Sequence, residues 1–184
     1  MELYQGYYYH IFNRSNNNEI VFKSPENYLY FLKKYREYLE SLVVTLAYCL
    51  MPTHFHLLVY IASNEIERIQ KNIGTWLSSY TKAINKHFGR HGSLFQHHTK
   101  AVLISSDNYL LSAAAYIHQN PVVAGLVDKL EDWTYSSYQD YLGMRKGTLP
   151  NTEIIRTRFS SLAEFIEFSI QSISDEDLEA IGGK

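Results

Sequence analysis

The decapeptide "MPTHFHLLVY" (Met51–Tyr60) decides how this chain is read. Its second half is apolar and rich in strand formers, and it follows another such run, "VVTLAYCL" (Val43–Leu50). Between the two runs, Met51-Pro52-Thr53 only turns the chain. A connection this short pairs the strands antiparallel, as a hairpin. Residues two apart on a strand share a face. His54, His56, Leu58 and Tyr60 therefore point one way, while Phe55, Leu57 and Val59 point into a core. The imidazoles stand side by side on the face not committed to packing, where two such ligands can grip one cation. An isolated His-x-His also arises by chance, so the rest of the chain has to carry the case.

Upstream, "GYYYHIF" (Gly6–Phe12) reads as a first strand and "NRSNNNEI" as a loop. Ser24-Pro25-Glu26 opens a helix, with a capping residue before proline at the first helical position. Tyr28, Phe31, Leu32, Tyr35 and Leu39 carry it at helical spacing towards Leu42. Downstream, Asn64 is expected to cap a long helix reaching about Phe88, with Gly74 as its weak point. "LFQHHTKAVLI" (Leu94–Ile104) is the candidate fourth strand. A helix then starts at Ser105, Ser106 or Asp107 and is expected to end at Pro121, which cannot continue it. The tail is more polar, with one helix near Leu162–Ser172. The order strand, helix, hairpin, helix, strand predicts an α+β, ferredoxin-like βαββαβ fold: an antiparallel sheet with helices on one face. The expected division is a catalytic domain over residues 1–143 and a C-terminal helical extension over 144–184.

With 184 residues, 46% hydrophobic and 20% charged, the chain has material for one globular core and an appendage. A net charge of −2 excludes a broadly basic nucleic-acid binder and leaves room for a local basic groove. The single cysteine, Cys49, excludes an internal disulfide and fits a reducing cytoplasm. The N-terminus lacks the pattern of a signal peptide, and "LVVTLAYCLM" is too short to span a bilayer. A cytoplasmic protein with no membrane partner is expected.

Several stretches together resemble the single-tyrosine HUH transposases, and within them the REP-associated tyrosine transposases. They are "YHIFNRSNNNEIVF" (Tyr9–Phe22), "NYLYFLKKY" (Asn27–Tyr35), "MPTHFHLLV" (Met51–Val59), "GSLFQ" (Gly92–Gln96), "YIHQNPVVAGLV" (Tyr116–Val127) and "DWTYSSYQDYLG" (Asp132–Gly143). The resemblance implies the same fold and a divalent-metal enzyme that cuts and rejoins single-stranded DNA beside hairpins. It makes Tyr116 the nucleophile, forming a 5′-phosphotyrosine, and adds Asn120 to His54 and His56 as metal ligands. The chain departs from the pattern at Val123, where arginine is common, and at His97, His98 and Thr99.

The residues themselves are compatible with that chemistry. Tyr116 and Asn120 are four apart and share a helix face, whereas His118 points elsewhere. A phenol has a pKa of about 10 and is mostly protonated at neutral pH. In-line attack on a phosphodiester also needs positive charge at the non-bridging oxygens, which Mg²⁺ or Mn²⁺ supplies. Nitrogen ligands favour Mn²⁺, and the sequence leaves the choice open. Candidate DNA contacts are Arg14, Lys82, Lys86 and Lys100; a solvated basic face is the plainer reading of each. Both a monomer and a homodimer exchanging the tyrosine helix fit the chain. Two competing readings remain: a domesticated, non-cleaving binder of structured DNA or RNA, and a zinc-binding structural protein using His54, His56 and His97 or His98.

Overall fold

The computed structural model describes residues 1–183. The strands are β1 (Tyr8–Arg14), β2 (Val43–Met51), β3 (His54–Ile61) and β4 (Lys100–Ile104). The helices are α1 (Pro25–Leu39), α2 (Ile66–Phe88), α3 (Asp107–Val123), α4 (Tyr138–Tyr141), α5 (Glu153–Arg156), α6 (Leu162–Ile170) and α7 (Asp175–Ala180). The strands lie in the order β2-β3-β1-β4, and every pairing is antiparallel. This is the ferredoxin-like α+β arrangement, with the β2–β3 hairpin at one edge.

Helices α1 and α2 cover one face of the sheet. Tyr9 and Ile11 of β1 and Phe55, Leu57 and Val59 of β3 meet Phe31, Tyr35, Ile73, Trp76 and Tyr80 there, all buried. Burying so many aromatics requires partners for their polar tips. Tyr35 pairs its hydroxyl with that of Thr45 at 2.7 Å, Tyr80 donates to the Val21 carbonyl at 2.9 Å, and Trp76 Nε1 donates to the Phe31 carbonyl at 3.1 Å. α2 runs unbroken through Gly74, because burial of Ile69, Ile73, Leu77 and Tyr80 outweighs the roughly 1 kcal/mol that one glycine costs a helix.

The opposite face, expected to be free of packing, carries a second core. Leu58 of β3 and Cys49 and Met51 of β2 are buried against Leu110, Ala113, Ala114 and Ile117 of α3. The alanines at 113–115 let α3 lie close to the sheet. Tyr138, Tyr141, Ile155, Phe165 and Ile181 complete this layer, so the segment after Gly143 is packed into it. A bulge in β2 makes both cores compatible with one strand. The register of β2 against β3 shifts between Thr45 and Ala47. Thr45, Tyr48 and Leu50 thus face the first core, while Leu46, Ala47, Cys49 and Met51 face the second.

α3 starts as expected: Ser106 caps it, its hydroxyl accepting from the Tyr109 amide at 3.2 Å. It does not stop at Pro121. It continues to Val123 before Gly125, at φ 66°, turns the chain. A proline removes only one amide donor, and here its ring is buried while the Asn120 carbonyl still accepts from the Ala124 amide at 2.9 Å.

His118 lies on the α3 face turned into the second core. It is fully buried, with Nε2 against the Ser137 hydroxyl at 2.8 Å. Burial holds its pKa down to about 3. The unfolded chain therefore binds a proton that the native state refuses between roughly pH 6.5 and 3, and stability falls as pH drops through that window. One such proton contributes a slope of about 1.4 kcal/mol per pH unit. His118→Gln is expected to flatten the acid limb of a urea-denaturation series by about that slope. An unchanged limb would contradict the assignment.

Candidate active site

β1 and β3 run antiparallel in register, with Arg14 opposite His54 and Phe12 opposite His56. His10, Phe12 and Arg14 alternate onto the face that carries His54 and His56. α3 crosses this face and brings Tyr116 and Asn120 to the end where the histidines sit. The result is a cavity of about 180 Å³ lined by Arg14, His54, His56, Tyr116, Asn120 and Gly183, among others. The Tyr116 ring stands edge-on to His56, with centroids 5.5 Å apart, and the His54 and His56 rings are 5.0 Å apart. The members come from β1, β3, α3 and the stretch ending at Gly183.

Donors and acceptors in the cavity are specific. Asn120 Nδ2 donates to the Tyr116 carbonyl at 2.7 Å, which fixes the amide and turns its oxygen away from that bond. His54 Nδ1 lies 3.0 Å from the Thr53 hydroxyl. His56 Nδ1 lies 2.8 Å from His10 Nε2, and His56 Nε2 is buried with no partner among the described residues. The Tyr116 hydroxyl donates to the Gly183 carbonyl at 3.2 Å.

The electrostatics favour neutral imidazoles. Burial, reinforced by the Arg14 charge, lowers the His54 pKa to about 4, and burial drives His56 well below its ordinary value. Both rings thus keep lone pairs for a cation at neutral pH. Burial also raises the pKa of the Tyr116 phenol, partly offset by hydrogen bonding from Asn120 and by the Arg14 charge. The phenol is a weak nucleophile until positive charge is placed beside it.

The remaining expected contacts are spread along the surface. Arg14 has no ion-pair partner among the described residues, and with Lys100, His98 and Gln96 it lines a neighbouring cleft. Lys82 lines a separate groove with Asn13, Thr81 and Asn85. Lys86 is exposed in the last turn of α2 and joins neither cleft. His97 and His98 are exposed and pair with each other at 3.0 Å, away from His54 and His56. Among the described residues no three His, Cys, Asp or Glu side chains converge on a metal position, so the zinc set of His54, His56 and His97 or His98 is not assembled.

Two contributors were not anticipated. His10 lies behind His56; its place on the histidine face follows from the alternation of β1. The other is Ile181-Gly182-Gly183, which comes back over the cavity from the far end of the chain. Nothing local in that stretch announces it.

No family model matches the chain. Over 103 residues it is 29% identical to a Haemophilus influenzae protein named for the REP-associated tyrosine transposases; the match covers 51% of this chain and 58% of the relative. The chain thus spans little more than half the length of that relative. Its fold matches the solved structure of a REP-associated tyrosine transposase bound to a REP hairpin, with a TM-score of 0.57 and 17% identity. That match covers 78% of this chain and 86% of the other. At that identity the match speaks to fold.

Proposed function

The chain is related to the REP-associated tyrosine transposases in sequence and in fold, and from that premise we propose that it cleaves and rejoins single-stranded DNA beside hairpins. The reading is carried by one observation: His54, His56, Asn120 and Tyr116 line a single cavity, and Nε2 of His56 is buried without a partner among the described residues. An unpartnered buried ring nitrogen beside a second imidazole and an amide can serve as a ligand, and imidazole nitrogen with an amide oxygen suits Mn²⁺ or Mg²⁺. Such a cation would be held by His54, His56 and Asn120 and would supply positive charge to a phosphate.

In the proposed reaction, the Tyr116 oxygen attacks the scissile phosphorus. The bond from phosphorus to the 3′ oxygen breaks, the phenolic proton is released, and the departing 3′ oxygen is protonated. The products are a 5′-phosphotyrosine and a free 3′-hydroxyl, and the ester bond retains the energy needed for rejoining without ATP. Arg14 flanks the phenol and is placed to bind a phosphate, with Lys100 continuing the basic edge and Lys82 and Lys86 further along. A monomer is sufficient, since the cluster is complete within one chain.

The test uses 5′- and 3′-end-labelled hairpin single strands incubated with the protein and Mn²⁺. An adduct stable to denaturing electrophoresis, carrying only the label on the 3′ side of the cut, is expected. Hairpin binding with no adduct across Mn²⁺, Mg²⁺ and several hairpins would favour a non-cleaving binder of structured DNA or RNA. Among the described residues no helix is long and apolar enough to cross a membrane.

A further inference from the structure

His10 is fully buried on β1, yet it is a polar residue between two cores. Its Nδ1 lies 2.6 Å from the Ile181 carbonyl oxygen, and its Nε2 lies 2.8 Å from His56 Nδ1. A carbonyl only accepts, so His10 Nδ1 carries a proton. Among the described residues His10 has no carboxylate partner, and enclosed as it is the ring is neutral, so its Nε2 is bare and must accept. The proton between the two rings therefore sits on His56 Nδ1. That leaves His56 Nε2 as a bare lone pair, and this is the ring atom that is buried without a partner among the described residues.

We infer that His10 is a positioning residue: it locks His56 in the tautomer whose Nε2 faces the cation position, and the Ile181 carbonyl locks His10 in turn. This inference rests on the proposed reading of His54, His56 and Asn120 as metal ligands. The relay is rigid at its far end. The Ile181 side chain is fully buried, and the amide that shares a peptide plane with its carbonyl, that of Gly182, donates to the Glu179 carbonyl at 3.2 Å, so the peptide cannot readily turn its oxygen away. The His10 and His56 rings are also nearly coplanar and end to end, with centroids 5.1 Å apart and planes at 21°, as an in-plane hydrogen bond between them requires. Partners behind a ligating histidine commonly change metal affinity by about 10–100-fold when removed, because they fix both ring and tautomer.

The experiment separates the relay from the metal site. ¹⁵N-histidine spectra of the metal-free protein report which nitrogen of His56 carries the proton, and the Mn²⁺ affinity is measured separately from the free-ion EPR signal. Wild type is expected to show His56 protonated at Nδ1. His10→Gln keeps an acceptor for His56 and a donor for Ile181, and should retain that tautomer and hold Mn²⁺ within about threefold of wild type. His10→Phe removes the acceptor. Its His56 proton is expected to move to Nε2, and Mn²⁺ affinity to fall about 10–100-fold. A wild-type His56 protonated at Nε2 overturns the inference, whether or not the Phe variant folds. So does a folded His10→Phe protein with unchanged tautomer, even if its affinity drops, because that drop would reflect loosened packing alone. If wild type binds no Mn²⁺ while the tautomer still follows residue 10, the relay stands and the metal reading fails.

Discussion

Tyr116→Phe is expected to abolish adduct formation and strand cleavage, by at least about 10³-fold, while leaving the protein folded. The change deletes one oxygen. In the native state that oxygen donates to the Gly183 carbonyl at 3.2 Å and interacts with the Asn120 amide, from a half-buried position. Losing such a bond costs about 0.5–1.5 kcal/mol, too little to unfold an ordinary domain. The ring keeps its edge contacts with His10 and His56, so the cavity keeps its shape. No other group there is an obvious substitute: Cys49 is fully buried on β2, and burial raises its thiol pKa far above neutrality. Hairpin binding, measured by anisotropy, should stay within about threefold, since the loss falls on the chemical step and not on association. Full cleavage by the Phe variant would remove Tyr116 as nucleophile.

The second large effect concerns the end of the chain. Gly182 and Gly183 lie over the cavity, and the Gly183 carbonyl holds the hydroxyl proposed to attack. Gly182 is at φ +72°, and a Cβ there would meet the Val102 Cγ2 atom at 2.7 Å. Gly182→Val therefore adds a clash to a left-handed backbone that a β-branched residue resists. The strain is on the order of 1–3 kcal/mol. Ile181 is anchored by its buried side chain, so the chain should peel away beyond it, loosening the Ile181 carbonyl that shares its peptide with Gly182. Each 1.4 kcal/mol shifts the covered and open states about tenfold, and a substrate that needs the open state gains by that factor. Cleavage is expected to rise about tenfold at limiting DNA and saturating Mn²⁺. A rate equal to or below wild type, in a protein with an intact melting transition, would show that this segment is no barrier.

The fold was legible where one local rule decided it. The hairpin around Pro52-Thr53 followed from connection length, and the shared face of His54 and His56 followed from strand alternation. Helix α1 followed from Ser24-Pro25 and its spaced aromatics. The Tyr116–Asn120 face followed from helical spacing once the resemblance had singled them out. What escaped was set by tertiary packing. The covered state of the histidine face depends on α3 and on the segment after Gly143, whose apolar residues are scattered over three short helices. The continuation of α3 past Pro121 depends on burial of that ring. β4 begins at Lys100 and not at Leu94, because Leu94 and Phe95 turn into the first core and leave the strand to start later. The tail over the cavity is a contact across 67 residues, beyond any window of sequence.

The extra residue in β2 also sets what evolution is able to do with this hairpin. Because the strand changes phase at Leu46, the half that backs His54 and His56 is out of step with the half that begins it. Losing one codon there would rotate one half against the other, sending Cys49 and Met51 among the aromatics and the Tyr48 and Leu50 side chains into the catalytic layer. Volume-conserving substitutions in β2 should thus be better tolerated among descendants than single-codon deletions within it.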